Sequence, residues 1–438
     1  MASLDSSDLD LLGLDLNHRA RNQLSHKDRA VHNWYRFVLS FPPHLVRHYL
    51  QRFHATEKTI VLDPFAGTGT TLVEVKKQGL SAMGIEANPM AHFACSVKVD
   101  WSPCSESLYR SAKAIAEATQ NELTLLPDLA PTLSPEAAGL LFKDAISPRP
   151  LQKVLTLLRH IDYAYQQSYQ QCGTQWSHSR LALANAAVLA SNLRFAPEVS
   201  VARKHKSDAQ VVDLWLDQIN TIATDLNTLQ AMSLVAQPAV VHLGDARQPH
   251  QYLAPDSVDI VITSPPYPNE KDYTRTTRLE SVLLGFLEDK AGLQAVKHDL
   301  VRSNSRSVYH DDNDDRWVQN YPQILELADK IDQRREELGK TSGFSRLYAQ
   351  ATRLYFGGMT RHLTNLRHVL RPGAQLAYVV GEQASYLQVH IPTGSLLAKI
   401  AQDLGYQLIA IDLFRTRRAS KTEVNLREEV VLLSWPGP

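Results

Sequence analysis

Cysteine is scarce in this chain of 438 residues: Cys95, Cys104 and Cys172 are all it has, with no CxxC pair among them. That excludes a disulfide-stapled scaffold and a zinc site built on cysteine, and it fits a reducing, cytoplasmic compartment. Long hydrophobic runs are missing as well. No apolar stretch could span a bilayer, and the opening MASLDSSDLDLLGLDLNH lacks the charged-then-apolar layout of a signal peptide, so no membrane partner is expected. Net charge is absent too, with 46 basic residues against 46 acidic ones. A nucleic-acid enzyme needs basic charge only where phosphates lie, so neutrality does not exclude that class. No metal is expected: the acidic run His310–Asp315 has no ligands spaced to match it and reads as a solvated loop. The chain shows no internal repeat or extended low-complexity tract.

What charge there is lies unevenly. Residues 17–60 carry eight Lys/Arg (Arg19, Arg21, Lys27, Arg29, Arg36, Arg47, Arg52, Lys58) against Asp28 and Glu57. Shorter clusters occur at Arg203-Lys204-His205-Lys206 and at Arg415, Arg417, Arg418 and Lys421. Solvated surface is the plainer reading of each cluster taken alone. Apolar residues make up 44% of the chain, enough for a sizeable core, so one catalytic domain with large insertions, or two domains, is expected.

Residues 1–30 read as a lead-in. HNWYRFVLSFPPHLVRHYLQRF (32–53) reads as an extended segment and then a helix from Pro42-Pro43, where proline suits the first turn. TIVLDPF (59–65) predicts a buried strand that runs into a Gly/Thr loop and then the helix TLVEVKKQGL. SAMGIEANP (81–89) predicts a second strand tipped by Glu86, which makes half of a doubly wound sheet. Residues 100–235 turn to helical periodicity. Strand signals resume at AVVHLGD (239–245) and VDIVITSPPY (258–267), and a second helix-rich stretch follows over 271–372. AQLAYVVG (374–381), YQLIAIDLF (406–414) and EEVVLLSW (428–435) predict three more strands, the last two an antiparallel pair. The expected fold is therefore α/β, a Rossmann-like sheet of about seven strands broken by two helix-rich insertions. Its parts are a lead-in (1–30), a cofactor-binding part (31–99), a first insertion (100–235), the catalytic strand and loop (236–270), a second insertion (271–372) and a C-terminal part of the sheet (373–438).

DPFAGTGTT (63–71) ends a strand and opens a helix, and an acidic residue, Glu86, follows about 20 residues on. A carboxylate there can accept both hydroxyls of a ribose, while Gly67 and Gly69 let backbone approach a ligand closely. No Gly-Lys-Ser/Thr follows, which excludes a P-loop. A dinucleotide fold would show a third glycine where Thr70 and Thr71 stand. Asp63 could meet the ammonium of a methionine moiety, directly or through water. The loop favours S-adenosyl-L-methionine over NAD.

Ser264-Pro265-Pro266-Tyr267 follows a buried strand and so projects from the carboxyl edge of the sheet, where ligands bind in such folds. Two prolines stiffen the backbone and remove two donors. A base amino nitrogen is a poor nucleophile because its lone pair is delocalised into the ring. Ser264 and the Pro265 carbonyl can accept its two N–H bonds and help localise that pair. Tyr267 can stack on an extruded base. Alone, the tetrapeptide is as readily a rigid turn; beside the Gly-rich loop it reads as a catalytic site.

VLDPFAGTGTT with GIEANPMA, then GDAR and VDIVITSPPY, resemble the amino-group DNA methyltransferases of the adenine-N6 and cytosine-N4 class. SFPPHLVRHYL upstream, with Phe41, resembles that family's further cofactor-contacting motif. The resemblance covers the sheet core, roughly half the chain, and says little of the insertions. It implies that Asp63, Phe65, Gly67, Gly69, Thr70 and Phe41 line S-adenosyl-L-methionine, that Glu86 holds its ribose and that Asp245 lies near its adenine. It implies double-stranded DNA as substrate and a restriction endonuclease acting on the same site as a partner. Cytosine-N4 enzymes often carry SPPY and adenine enzymes more often Asp or Asn in the first position, so cytosine N4 is favoured. Adenine N6, an RNA base and a catalytically idle binding module are the alternatives. The cofactor motif precedes the catalytic motif, so recognition-domain boundaries do not transfer from the many SPPY enzymes of opposite order. Asn269, Tyr273 and Arg275 are candidates to position the flipped base or its phosphates, with helix capping and packing an equal reading. Arg417, Arg418 and Ser420 could reach the catalytic edge, or simply tip a hairpin.

Overall fold

Inward and outward residues alternate along each central strand, which lets both faces of one sheet be covered. Val61, Ile260, Ile262, Ala377 and Val379 join one apolar cluster, while Leu62, Val261, Leu376, Tyr378 and Val380 join the other. The computed structural model describes residues 24–36, 40–125, 131–167, 173–195, 198–232, 235–269, 271–418 and 425–438. The first 23 residues of the lead-in, Cys172, Ser420 and Lys421 lie outside them.

The strands are β1 (Ile60–Asp63), β2 (Ser81–Glu86), a small hairpin of β3 (Leu193–Arg194) and β4 (Ser200–Val201), then β5 (Ala239–Leu243), β6 (Val258–Thr263), β7 (Leu370–Gly381), β8 (Gln407–Arg418) and β9 (Asn425–Ser434). The main sheet has seven strands in the order β5-β2-β1-β6-β7-β9-β8. The first five run parallel, and β9 inserts antiparallel between β7 and β8. This is the expected α/β sheet with its antiparallel end. β1 and β6 are neighbours, Val61 against Ile260 and Leu62 against Val261, so the Gly-rich loop and SPPY leave the sheet side by side. The chain order reverses here, with β2 on one side of β1 and β6 on the other, which opens a crevice at the carboxyl edge.

Helix α1 (Pro43–Arg52) opens on a proline, as expected. α2 (Thr70–Lys77) follows the Gly-rich loop, and α3 (Pro89–Val99) is capped by the Asn88 side chain, which accepts from Met90 N and Ala91 N. These helices share one cluster with α4 (Ser105–Leu125), α5 (Pro148–Gln167), α6 (Gly173–Ala190) and α7 (Val211–Ala231) from the first helix-rich stretch. The second stretch holds α8 (Tyr273–Thr276), α9 (Arg278–Leu283), α10 (Lys290–Asp299), α11 (Pro322–Glu337) and α12 (Tyr348–Leu366). α11 and α12, with α13 (Thr393–Asp403), cover the opposite face. α12 is thus a sheet-covering helix, although the sequence groups it with the second insertion. No helix among the described residues is long and apolar enough to cross a membrane.

Two charge readings change. The run His310–Asp315 is not simply a solvated loop: Asp312 pairs with Arg302, and Asp314 pairs with Arg247 and Arg361, with both carboxylates almost fully buried. Their partners lie on other segments, so the run is held by folding rather than by solvent. Arg47 and Arg52 are consumed as ion-pair partners of Asp28 and Glu74, and of Asp412. Arg203, Lys204 and His205 are exposed just beyond the β3–β4 hairpin.

Candidate active site

β1 delivers Asp63 to the crevice as a fully buried carboxylate. It accepts from Thr263 Oγ1 at 2.6 Å, Thr71 Oγ1 at 2.6 Å and Phe65 N at 3.1 Å, tying β6, α2 and the loop together. Burial pushes its carboxyl up to about 6, against the pull of these three donors. Asp63 therefore braces the loop with both oxygens, and its carboxylate has no exposed surface to offer an ammonium group.

The loop itself makes a cradle. Gly67 sits at φ +52°, in the left-handed region that favours glycine, and a Cβ there would meet nothing within 4 Å. Its N–H donates to Glu86 Oε2 at 2.7 Å, and Asn88 N donates to Glu86 Oε1 at 2.8 Å. Each carboxylate oxygen keeps a lone-pair direction for a further donor. Burial raises the Glu86 carboxyl to about 7. Gly69, also at positive φ, caps the buried Thr70 at the start of α2. Open space beside a backbone amide, next to a carboxylate with spare acceptors, fits the nucleoside of S-adenosyl-L-methionine.

The other expected cofactor residues surround this point unevenly. Phe65 packs edge-on to His362, ring centroids 5.0 Å apart, and Phe41 is half-buried against the first core cluster. Asp245 follows β5 and is buried, its carboxylate held by Arg247 Nε at 2.9 and 3.0 Å. Arg247 in turn contacts Asp314, so this corner is locked to the second helix-rich stretch.

SPPY leaves β6 beside β7. Ser264 Oγ donates to the Val379 carbonyl at 3.2 Å, which commits its one proton and leaves its lone pairs as acceptors. No backbone N–H among the described residues is bonded to the Pro265 carbonyl. The Tyr267 ring lies over Gly381, where a Cβ would come within 3.1 Å of Cε2, a tight contact that the ring would have to ease by a few tenths of an ångström. Burial and the nearby Glu428 carboxylate push its phenol up, and the Ser264 hydroxyl lies beside it. Its backbone N–H donates to Tyr273 Oη at 3.1 Å. Tyr273 is thus placed to hold the loop. Asn269 is buried and turned inward: its N–H donates to Tyr267 O at 2.8 Å and Ser303 O at 2.9 Å, and its Oδ1 accepts from Lys271 N. Arg275 lies over the Phe142 ring at 4.6 Å. These bonds make Asn269 and Tyr273 supports of the loop. Arg417 donates to Glu382 O and Gln383 Oε1 on the β7 side of the same edge.

Four residues give little sign of their roles in the sequence. Thr263 and Thr71, which brace Asp63, look like ordinary strand and helix residues. Tyr355, from α12, is buried near Tyr267 and Tyr273 with an unpartnered hydroxyl. The clearest missed signal is Glu280, a lone acid in the largely apolar stretch RLESVLLGF, which is almost fully buried.

The N6/N4 methyltransferase family model, described as DNA methylase, matches residues 16–93. The Type II methyltransferase M.BsoBI of Geobacillus stearothermophilus is 25% identical over 468 residues, covering 96% of this chain and 88% of that protein. The Type II methyltransferase M.AvaI of Nostoc sp. is 20% identical over 432 residues, covering 91% and 84%. A third, M.MjaII of Methanocaldococcus jannaschii, is 37% identical over 78 residues, covering 17% and 14%.

Proposed function

We propose that this chain, which belongs to the amino-methyltransferase family of DNA methylases, methylates the N4 amino group of a cytosine extruded from double-stranded DNA. The observation that carries the reading is the pair of acceptors in SPPY. The Ser264 hydroxyl is fixed as an acceptor by donating to Val379, and no described backbone N–H is bonded to the Pro265 carbonyl. Together they can take both N–H bonds of one amino group and leave its lone pair to form the new bond. S-adenosyl-L-methionine supplies the methyl group as an electrophile. Gly67 and Glu86 hold it, with Phe41, Phe65, Gly69, Thr70 and Asp245 around it and Asp63 setting the loop. Tyr267 supports the face of the extruded base. The leading serine favours cytosine N4 over adenine N6.

The exposed Arg203, Lys204 and His205 and the half-buried Arg275 are the basic groups best placed to meet phosphates or bases, which supports target recognition by the first insertion and the segment after SPPY. A restriction endonuclease acting on the same sequence, in the cytoplasm, completes the reading. Single-molecule sequencing of DNA from cells expressing the protein is expected to show N4-methylcytosine in one sequence context. N6-methyladenine would overturn the choice of base, and an unmodified genome would overturn DNA as substrate.

Glu86 carries a separate prediction. Glu86→Gln is expected to weaken S-adenosyl-L-methionine binding by about tenfold or more, the scale of a hydrogen bond to a charged acceptor. Because burial holds this carboxyl at about 7, its ionised fraction falls as pH drops from 8 to 6. Affinity measured by titration calorimetry should fall with it in the wild type and stay flat in Glu86→Gln. A flat wild-type profile would sink the assignment.

A further inference from the structure

The turn after β5 carries Asp245 to the same crevice as Glu86. β5 and β2 are neighbours, about 4.8 Å apart, and Gly244 N donates to Glu86 O at 3.0 Å. A ribose held by Glu86 can therefore extend its base towards Asp245. Unlike Asp63, the Asp245 side chain keeps some exposure, 7%. Its Oδ1 is filled by Arg247 N at 2.8 Å and Arg247 Nε at 2.9 Å. Its Oδ2 shares that Nε at 3.0 Å and otherwise meets Gln248 Nε2 at 3.4 Å, so one acceptor direction stays open.

The guanidinium that grips Asp245 is itself held from the second helix-rich stretch. Arg247 Nη1 donates to Asp314 Oδ2 at 2.5 Å and Nη2 to His298 O at 2.6 Å, and Asp314 Oδ1 accepts from Arg361 Nη1 at 3.2 Å. The Asp314 backbone is pressed onto α12: a Cβ at Gly357 would lie 1.9 Å from the Asp314 carbonyl oxygen, so glycine is required for this approach. α12 also holds the turn directly, Asn365 Nδ2 donating to Arg247 O at 2.8 Å and His362 Nδ1 to Ala246 O at 2.6 Å. We infer that Asp314 is a positioning residue for the cofactor. Through Arg247 it aims the Asp245 carboxylate at the exocyclic amino group of adenine, so the second helix-rich stretch completes the cofactor site. The inference rests on the S-adenosyl-L-methionine reading above. Arg247 and Asp314 are both buried, and a buried ion pair adds little stability over an apolar pair of the same shape; here it fixes a direction. Without Asp314, the guanidinium loses its charged anchor and can turn, and Asp245 turns with it. The grip of Glu86 on the ribose is untouched.

The test is equilibrium binding, to the full chain, of S-adenosyl-L-homocysteine and of its inosine counterpart, in which a carbonyl replaces the adenine amino group. Asp245 would then face an acceptor instead of a donor, so the wild type should prefer the adenosine form by about tenfold or more. Asp314→Ala should cut that preference to about threefold or less by weakening the adenosine form alone. Asp314→Asn, which keeps an acceptor for Arg247 without the charge, should fall between, and it carries the same test if the alanine variant fails to fold. Asp312→Asn breaks the neighbouring pair with Arg302, touches neither Arg247 nor Asp245, and should keep the wild-type ratio. General loosening of the site would weaken both ligands equally. A wild-type ratio in the Asp314 variants, or a lowered one in Asp312→Asn, therefore overturns the inference. A wild type without preference overturns it too and leaves the methyltransferase reading standing. Wild-type protein that binds neither ligand overturns both.

Discussion

Tyr267→Ala is expected to lower single-turnover methyl transfer by about a hundredfold or more while leaving S-adenosyl-L-methionine affinity within about twofold, since stacking on an extruded base is worth about 1–3 kcal/mol and misplacement adds to its loss. The asymmetry follows from the fold. The Tyr267 ring rests on Gly381 at the end of β7, whereas the cradle of Gly67 and Glu86 stands on β1 and β2, across β6. Truncating the ring removes the base support without touching the cradle. The Tyr267 N–H, held by Tyr273 Oη, survives the substitution, so the loop backbone should keep its course. Tyr267→Phe keeps the stacking face and loses only the hydroxyl beside Ser264, so its loss should be about tenfold or less, the scale of one hydrogen bond. Transfer of a tritiated methyl group to duplex DNA and calorimetry of cofactor binding separate the two effects. Full activity in Tyr267→Ala would remove SPPY from the catalytic role.

The parts of this site that could be read from sequence are those whose chemistry is local. A strand, a glycine turn, a helix and an acid at the next strand tip fall within residues 60–86, and SPPY directly continues β6, so spacing alone carries the geometry. The strand pattern also disclosed the antiparallel end of the sheet, because β8 and β9 follow each other closely in the chain. What could not be read depends on residues far apart in the chain. Tyr35 meets Glu280 across 245 positions, and Arg52 meets Asp412 across 360. A basic cluster looks solvent-facing until such a partner is known. The buried Asp312 and Asp314 make the same point from the other side, since their acidic run carries no sign of Arg302 or Arg247. Tyr273 shows a subtler limit: its nearness to SPPY is legible in the chain, whereas the bond its hydroxyl accepts from the Tyr267 N–H is not.

Glu74 brings a second large effect, on stability rather than on chemistry. It lies on α2, one turn beyond the cofactor loop, with a side chain only 1% exposed. His32 Nε2 approaches it at 2.8 Å, Lys77 Nζ at 3.4 Å, and Arg47 bonds its other oxygen. Burial alone would raise the carboxyl, but these partners outweigh it and hold Glu74 at about 2. His32, driven by burial, sits at about 4 and is neutral, donating Nε2–H to Glu74. Glu74→Ala strands a buried cluster of donors, and breaking a buried pair costs about 3–5 kcal/mol. Denaturant unfolding should register that loss, with Glu74→Gln falling between. The pH dependence has a definite sign. Glu74 is depressed in the folded state, so its contribution is complete above the ordinary value of 4.5 and is lost as pH falls towards 2. His32 is depressed too, so the unfolded chain takes up its proton first, and stability falls from pH 6.5 towards 4. Acid should therefore destabilise the wild type throughout this range, and Glu74→Ala should flatten its lower part. Because α2 anchors Gly67 and Gly69, saturating S-adenosyl-L-methionine should recover part of the loss by binding only the folded state. An unfolding midpoint in Glu74→Ala equal to that of the wild type at pH 7 would show that the cluster is spectator charge.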